Sequence, residues 1–594
     1  MCGIYGFTGS KDQSLLKKMG STLYHRGPDN TSVYETNGFS LGITRLSIVD
    51  IEGGYQPWKN IASKVSVVCN GEIYNYRELR ELLLRKGYRL KSDHSDTEIL
   101  PYLYLEYGLE FINKIDGMFA IALYDSEKDT LFLIRDRVGK KPLYYREEKG
   151  VLYFASEIKA LLCVGNKPDI NQNALSEYFS HKNSVAPETI YKDIYQLEPA
   201  MYLEYKDKGI LQKKKYWNLS FTGENTSASR ADIESELMGL LEQSVKKRID
   251  IDVEYGVFLS GGLDSSLISA IAQEYSPNRL KSFTLSYNDD IAGKNNDTEY
   301  AEHFSKTLGT QHYNLVLDKD EVFSNLESVL RSFDEPFSGT ISTYFLSKYI
   351  SEHVKVALSG DGSDEIFGSY LTHRLSSMLD NSDNMDIYKD SADYQKMIEM
   401  NIQKNTNWRD SFSVFSYEEQ MQLLLQPVKK QVPCLDILNQ THLHQTLESE
   451  FSGQLPNQIL AFSDRLSMAH SLEIRSPFLD TKFIEFVARI PSKYKIEGKE
   501  VKSILKAASL KYLPRDLAYR KKEGFVLPVY NWIEAQYYSH VKSYVLDSNI
   551  YADVNRKYVE LLFSKFEKHK NNHVQVWSLY NYAIWKEGIF NGLK

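Results

Sequence analysis

The stretch Val257-Phe258-Leu259-Ser260-Gly261-Gly262-Leu263-Asp264-Ser265-Ser266 is an apolar run that breaks into a Gly-Gly turn and resumes as Leu267-Ile268-Ser269-Ala270-Ile271-Ala272. The pattern predicts strand, tight loop, helix. In that geometry small residues let backbone N–H groups approach a phosphate closely, and the helix N-terminus adds a favourable field for an anion. Asp264 stands where a carboxylate can hold a magnesium ion that bridges phosphate oxygens. A plain strand-to-helix connection also uses Ser, Gly and Asp, as turn and cap residues, so the reading depends on what surrounds the motif.

Downstream, Leu280-Lys281-Ser282-Phe283-Thr284-Leu285 and Val354-Lys355-Val356-Ala357-Leu358 read as further strands separated by helical stretches, an α/β pattern. After the second of these comes Ser359-Gly360-Asp361-Gly362-Ser363-Asp364-Glu365, another acidic, Gly-rich loop. Two such loops at strand C-termini suit a nucleotide and magnesium in an open sheet. Gln458 to Leu472 and Glu500 to Leu510 read as helical. Upstream, Ile233, Leu237, Leu240, Leu241 and Val245 fall at helical spacing, and before them residues 218–230 are polar and poor in large apolar side chains, the best linker in the chain.

Composition bounds the rest. At 594 residues the chain exceeds one core, and a prior of ~150 residues per domain allows about four domains or two large ones, the division expected here. With 42% hydrophobic and 25% charged residues it carries no signature of disorder. A net charge of -8 argues against general binding of nucleic acid or anionic membranes, and the basic run Lys213-Lys214-Lys215 reads as a solvated turn. No apolar run approaches the ~18 residues of a membrane span, and the N-terminus lacks signal-peptide character, so a cytoplasmic protein is expected. Cys2, Cys69, Cys163 and Cys434 are few and widely spaced, which suggests neither disulfides nor zinc.

Cys2 is the exception. If Met1 is removed, Cys2 carries a thiol and a free α-amine together, and an amine of pKa ~7.7–8 can take the thiol proton near neutrality. Position alone is weak, because any protein can have Cys second. Polar clusters beside strand-like runs follow: Leu23-Tyr24-His25-Arg26-Gly27-Pro28-Asp29, Arg45-Leu46-Ser47-Ile48-Val49-Asp50, Val67-Val68-Cys69-Asn70-Gly71-Glu72-Ile73-Tyr74-Asn75 and Asp93-His94-Ser95-Asp96-Thr97-Glu98. Taken singly, Arg45 or Asp96 reads as a surface ion pair and Asn70-Gly71 as a hairpin turn. Gly117 to Asp125 and Leu131 to Arg137 read as paired buried strands, continued by Lys141 to Tyr145 and Tyr153 to Glu157, all scaffold.

These clusters together resemble the class II glutamine amidotransferases, whose glutaminase domain has an N-terminal cysteine. The resemblance implies an α/β/β/α sandwich of the N-terminal nucleophile type that hydrolyses glutamine to glutamate and ammonia. It makes Cys2 the nucleophile, and Asn70 with the Gly71 backbone N–H the oxyanion hole. Residues 45–49 (Arg45, Leu46, Ser47, Ile48 and Val49) would line the glutamine site, with Arg45 on the substrate carboxylate and Glu72 and Asp96 on its amine.

Likewise the 260–265 loop resembles the pyrophosphate loop of the ATP pyrophosphatase superfamily, and the chain from Cys2 to roughly Phe525 is similar to glutamine-hydrolysing asparagine synthetases. That resemblance implies an α+β glutaminase domain at 2–215 and an α/β synthetase domain with a helical C-terminal part at 230–594. It implies ATP and magnesium as cofactors, small-molecule substrates (glutamine and aspartate or another carboxylate), neither nucleic acid nor membrane as partner, and a homodimer as a possible assembly. Leu259, Leu285, Ser359 and Gly360 would line the adenosine, and Ser260, Gly261, Gly262, Asp264, Ser265 and Ser266 the pyrophosphate. Asp264 and Asp364 would ligate magnesium, and Lys502 would neutralise charge as pyrophosphate leaves. Within residues 469–480, matching the family's segment beside the acceptor, Glu473, Arg475 and Asp480 are structural ion pairs or site residues.

Two departures bear on the acceptor. Asp361, which the resemblance makes a catalytic residue in the position linked to acyl-adenylate formation or the amination step, stands where the family usually carries Glu, and Ser369 replaces a glycine in Phe367-Gly368-Ser369-Tyr370. The expected activity is therefore ATP-dependent amidation of aspartate, or the same chemistry on another carboxylate. Amidotransferases acting on phosphoribosyl or sugar-phosphate substrates would not need the 260–265 loop, and a non-catalytic relative would not keep Cys2, Asp264 and Asp364. Ammonia set free in water is protonated, so an apolar passage from Cys2 to the second site is expected.

Overall fold

Residues 2–60, 65–223, 228–288, 295–381, 387–400, 412–426, 440–520 and 528–590 are described by a computed structural model of the chain. Met1, Cys434, Phe525 and residues 224–227 of the expected linker lie outside the described residues. No helix among the described residues is long and apolar enough to cross a membrane.

The first part of the chain forms two antiparallel sheets. Its strands are β1 (Cys2–Thr8), β2 (Asn30–Glu35), β3 (Phe39–Arg45), β4 (Trp58–Asn60), β5 (Val65–Ile73), β6 (Gly117–Asp125), β7 (Thr130–Arg135), β8 (Tyr144–Glu148), β9 (Val151–Ala155), β10 (Tyr195–Gln196), β11 (Met201–Lys206) and β12 (Gly209–Lys215). They order as β10-β8-β9-β1-β3-β2 and β12-β11-β7-β6-β5-β4. Ile4, Leu41, Ile43 and Phe154 of one sheet meet Val68, Ala120, Ala122 and Leu133 of the other in a shared core. Helix Gln13–Thr22 sends Leu16 and Met19 into the core on the outer side of the first sheet, and helices Tyr76–Arg85 and Ile99–Tyr107 cover the second. The layers are α/β/β/α, as expected. The near-continuous burial of β1, β3, β5 and β6 follows from being covered on both faces.

Three local readings change. Asn70-Gly71 is no hairpin turn: both lie inside β5, opposite Ala120 and Phe119 of β6. The strands from Tyr144 do not extend the β6–β7 pair but join the other sheet. Lys213 to Lys215 lie on the exposed edge strand β12 rather than in a turn, where charge blunts edge pairing.

The second part is built on a five-stranded parallel sheet, β15-β14-β13-β16-β17, from β13 (Tyr255–Phe258), β14 (Lys281–Tyr287), β15 (Gln311–Leu317), β16 (Val356–Leu358) and β17 (Glu473–Arg475). Helices Arg230–Ile249 and Leu263–Tyr275 bury Leu237, Leu241, Val245, Leu267 and Ile271 against it. From residue 529 onward the described chain is helical. The two parts share a seam: Phe179 packs on Phe415 and Tyr582, Tyr191 on Trp585, and Tyr178 donates to the Ser578 carbonyl at 2.7 Å.

Candidate functional site

The first candidate pocket surrounds Cys2. Antiparallel pairing sets Cys2 of β1 opposite Arg45 of β3, while β5 on the facing sheet brings Asn70 beneath it. The Cys2 backbone nitrogen donates to Asn70 Oδ1 at 3.0 Å, and the Leu46 backbone N–H is directed at the thiol. Burial pushes the thiol up from its ordinary value, so it needs a base to become nucleophilic. At residue 71 a Cβ would lie 2.0 Å from the Met118 carbonyl oxygen, so only glycine lets β5 and β6 approach here.

Of the residues expected around glutamine, Arg45 spends its guanidinium on the carbonyls of Ile51, Val49 and Asp50 (3.1, 3.1 and 2.8 Å), which fixes the loop after β3. Leu46, Ile48 and Val49 are buried in the core beside β5. Ser47 takes part through its backbone N–H, which donates to Asp29 Oδ2 at 2.8 Å. Asp96 accepts from the Ile73 N–H at 3.0 Å, and burial pushes it up to about 6. Glu72 is not free: Arg475 of β17 donates to its carboxylate at 2.7 Å. Burial nevertheless holds Glu72 well above the usual carboxylate range.

The second candidate pocket is a cavity of about 1160 Å³ at the C-terminal ends of β13, β14 and β16. Leu259, Ser260, Gly262, Asp264, Ser265, Leu285, Ser359, Gly360, Asp361, Asp364 and Lys502 all line it. Gly261 and Ser266 do not, among the lining residues found. Gly261 has φ +73° and its Cβ would meet the Asp297 carbonyl oxygen at 2.6 Å, so it shapes the turn; Ser266 is fully buried within the helix. Gly262 caps helix Leu263–Tyr275, which points its first N–H groups at the cavity.

Lys502 reaches between the two acidic loops, 2.7 Å from Asp264 Oδ2 and 2.6 Å from Asp364 Oδ1. It holds a left-handed backbone, φ 53°, unusual for a lysine and a sign of constraint at a functional position. Burial opposes its charge, but the two carboxylates outweigh that and hold it above an ordinary lysine. Two facing carboxylates are the hard oxygen donors that magnesium takes, with phosphate oxygens and waters completing the shell, so the residues fit that ion. The Ser369 hydroxyl donates to Asp364, and Tyr370 donates to Glu365 Oε1 at 2.5 Å. Burial, with Asp364 beside it, pushes the Glu365 carboxyl up to about 8.

Residues 236–587 match the asparagine synthase family, and residues 1–217 match a glutamine amidotransferase domain. The chain belongs to the asparagine synthase family. Similar curated proteins include asparagine synthetase [glutamine-hydrolyzing] 1 of Bacillus subtilis, 29% identical over 98% of this chain and 96% of that protein. Asparagine synthetase [glutamine-hydrolyzing] 3 of the same organism is 31% identical over 88% and 87%. Asparagine synthetase B [glutamine-hydrolyzing] of Escherichia coli K12 is 30% identical over 90% and 84%. The chain is thus a glutamine-dependent amidotransferase of asparagine synthetase type.

Between the two pockets the family fold is bridged by buried charge. Arg26 donates to the Cys2 carbonyl at 3.0 Å and lies 2.9 Å from Asp464 Oδ2. Asp464 is on helix Leu460–Met468, whose preceding residue Ser463 donates to Asp361 Oδ2 at 3.0 Å. Lys141 stands 3.7 Å from Asp464, and burial pulls it down to about 8. A cavity of about 10 Å³ at this junction is walled in part by Arg135, Lys140, Asp464 and Arg465. The described residues at this junction are polar and charged rather than the apolar lining expected of a passage.

Ser463, Arg26, Lys140, Glu365 and Ser476 went unread as site residues in the sequence. The only signal was local: two adjacent lysines after Gly139, in a tight connection between buried strands, are more charge than a scaffold turn needs. Glu473, Arg475 and Asp480 are ion pairs, Arg475 with Glu473 and Glu72, and Asp480 with Lys247 and Arg248.

Proposed function

We propose that the protein hydrolyses glutamine at Cys2, passes the ammonia to the cavity around residues 259–266, and there amidates a carboxylate activated with ATP, converting aspartate to asparagine with release of AMP and pyrophosphate. The observation that carries this reading is the Lys502 ammonium set between Asp264 and Asp364 in a cavity opened by a helix N-terminus. On this reading the chain divides into a glutaminase domain at 2–215 and a synthetase domain at 230–594.

In the first site the Cys2 thiolate attacks the side-chain amide carbon, the Cys2 α-amine having taken the thiol proton once Met1 is removed. Asn70 and the Gly71 N–H stabilise the oxyanion, ammonia leaves, and water hydrolyses the resulting thioester to glutamate. Arg45 would take the substrate carboxylate while still holding the loop carbonyls of Val49, Asp50 and Ile51; Asp96 and Glu72 would face its ammonium, and Glu72 must share that charge with Arg475. In the second site, the 260–266 loop holds the phosphates while the acceptor carboxylate attacks the α-phosphorus. Asp264 and Asp364 would hold magnesium, which supplies charge neutralisation to the departing pyrophosphate. Once they are so engaged, the Lys502 ammonium is free to turn toward the same phosphate oxygens. Ammonia then attacks the acyl carbon, and AMP leaves with the bonding pair.

The test is AMP and pyrophosphate release with glutamine, ATP and aspartate. Aspartate-dependent release with product asparagine supports the reading; an active glutaminase without such release removes it. A second acceptor class is suggested by Asp361, which lines the cavity with the shorter acidic side chain where the resemblance leads one to expect Glu, and whose Oδ2 is tied to Ser359 and Ser463 at 2.9 and 3.0 Å. A panel of carboxylic acids in the same assay separates the two.

A further inference from the structure

We propose that Lys140, carried by the connection between β7 and β8, is a positioning residue for the amidation centre at Asp361, so that this centre is completed by a side chain from the other half of the molecule. This rests on the amidotransferase reading and deepens it.

The connection is built rigidly. Asp136 accepts from the backbone N–H groups of Val138, Lys140 and Lys141 at 3.1, 3.0 and 2.9 Å, and Arg135 donates to the Gly139 carbonyl at 2.9 Å. Gly139 takes φ +73°, which turns the chain so that Lys140 leaves the sandwich. Its ammonium crosses to the second half, donates to Ser476 Oγ at 2.9 Å and lies 3.9 Å from Asp361 Oδ2. Ser476 Oγ is in turn 3.3 Å from Ser359 Oγ, which donates to that same Oδ2 at 2.9 Å. All these contacts fall on one carboxylate oxygen, leaving Oδ1 to the cavity that Asp361 lines.

Burying an ammonium without an intimate counter-ion is costly, and natural chains keep such groups where the charge has work at a reacting centre. Lys140 is 3% exposed and has hydroxyls and a carboxylate at ion-pair range rather than a close bidentate partner. Burial accordingly lowers its proton affinity below that of an ordinary lysine, with Asp361, Asp464 and Asp136 opposing the change.

The experiment uses the full chain with Lys140→Met, Lys140→Arg and Ser476→Ala. It reads glutaminase rate, and kcat and KM(ATP) for amidation with free ammonium. Lys140→Met is expected to lower amidation kcat about 10–100-fold, the usual cost of losing a group that orients a reacting side chain, with KM(ATP) and glutaminase changed less than about twofold. Lys140→Arg should recover most of that loss. If Lys140→Met fails to fold, Ser476→Ala decides, since it removes only the hydroxyl relay and should cut kcat by about tenfold. An unchanged kcat in Lys140→Met or, failing that, in Ser476→Ala overturns the inference. So does a loss in Lys140→Met that falls equally on glutaminase, or one that Lys140→Arg does not relieve. A wild type that releases glutamate but amidates no acceptor instead removes the amidotransferase reading, and this inference with it.

Discussion

Around Cys2 the working side chains come from strands, Cys2 from the start of β1 and Asn70 and Glu72 from within β5. Cys2, Asn70 and Glu72 are each 5% exposed or less. Around residues 259–266 they come from loops and helix starts, and the Asp264 and Asp364 side chains remain about a fifth exposed. The first pocket is held by the β-ladders of two facing sheets, the preset geometry that the proposed covalent step on a small ligand would need. The second holds its charges in an internal triad, Lys502 with Asp264 and Asp364, which on the proposed reading a phosphate chain would open. On the proposed reading, the phosphate site is kept in register by salt bridges that would exchange partners on binding, whereas the amide site is kept in register by backbone.

The sharpest break of that comparison is Cys2→Ala. Glutamine-dependent amidation should fall by more than about 1,000-fold while the ammonium-dependent reaction changes less than about twofold, as measured by product formation with each nitrogen source. Parallel loss of both would mean that the pockets are not separable. Next, Lys502→Met should lower pyrophosphate release about 100–1,000-fold with glutaminase intact, because a charge is lost where charge develops. A small effect there would remove the exchanging triad.

Gly71→Ala sets the backbone of the first pocket against itself, since the new Cβ lies 2.0 Å from Met118 O. It should cost about 2–4 kcal/mol in denaturant or thermal unfolding, whereas Gly209→Ala, with nothing within 4 Å, should stay within about 0.5 kcal/mol. Equal effects would show that the β5–β6 approach is not tight.

The smallest expected effect tests the seam. Glu335 accepts from the Ile190 N–H at 2.7 Å, and burial raises its carboxyl from 4.5 to about 7. The unfolded chain loses that proton first, so between those values it binds fewer protons than the folded one and wild-type stability falls as pH rises. Glu335→Gln removes this slope. Its unfolding free energy relative to wild type should rise from pH 4.5 to about 7, by about 2–3 kcal/mol, and a flat difference would contradict the buried-acid reading.

Much of the fold was legible because it is written in short periods. The Gly-Gly break at 261–262 stated strand, loop and helix, and the structure has β13 ending at Phe258 and the helix starting at Leu263. Helical spacing from Ile233 to Val245 placed helix Arg230–Ile249. By contrast, Glu473 to Arg475 sit in a stretch rich in charge, and nothing local marks them as β17, the edge of the parallel sheet. That assignment depends on pairing with β16, over 100 residues earlier. Asn70-Gly71 carries a turn signature, yet the sheet overrides it, because Gly71 is needed for close approach rather than for a bend.

The sequence by itself determined the chemistry available: a second-position cysteine, two acidic Gly-rich loops after strands, a lysine near residue 500, and an aspartate at 361 in the second of those loops. Only the tertiary structure decided which groups meet. Glu72 faces Arg475 across 403 positions of chain, Lys140 faces Ser476 across 336, and Lys502 closes on Asp264 across 238. Turn residues and side-chain periodicity act over a few positions. The partner of a buried charge is set by how whole sheets stack, which no local pattern encodes.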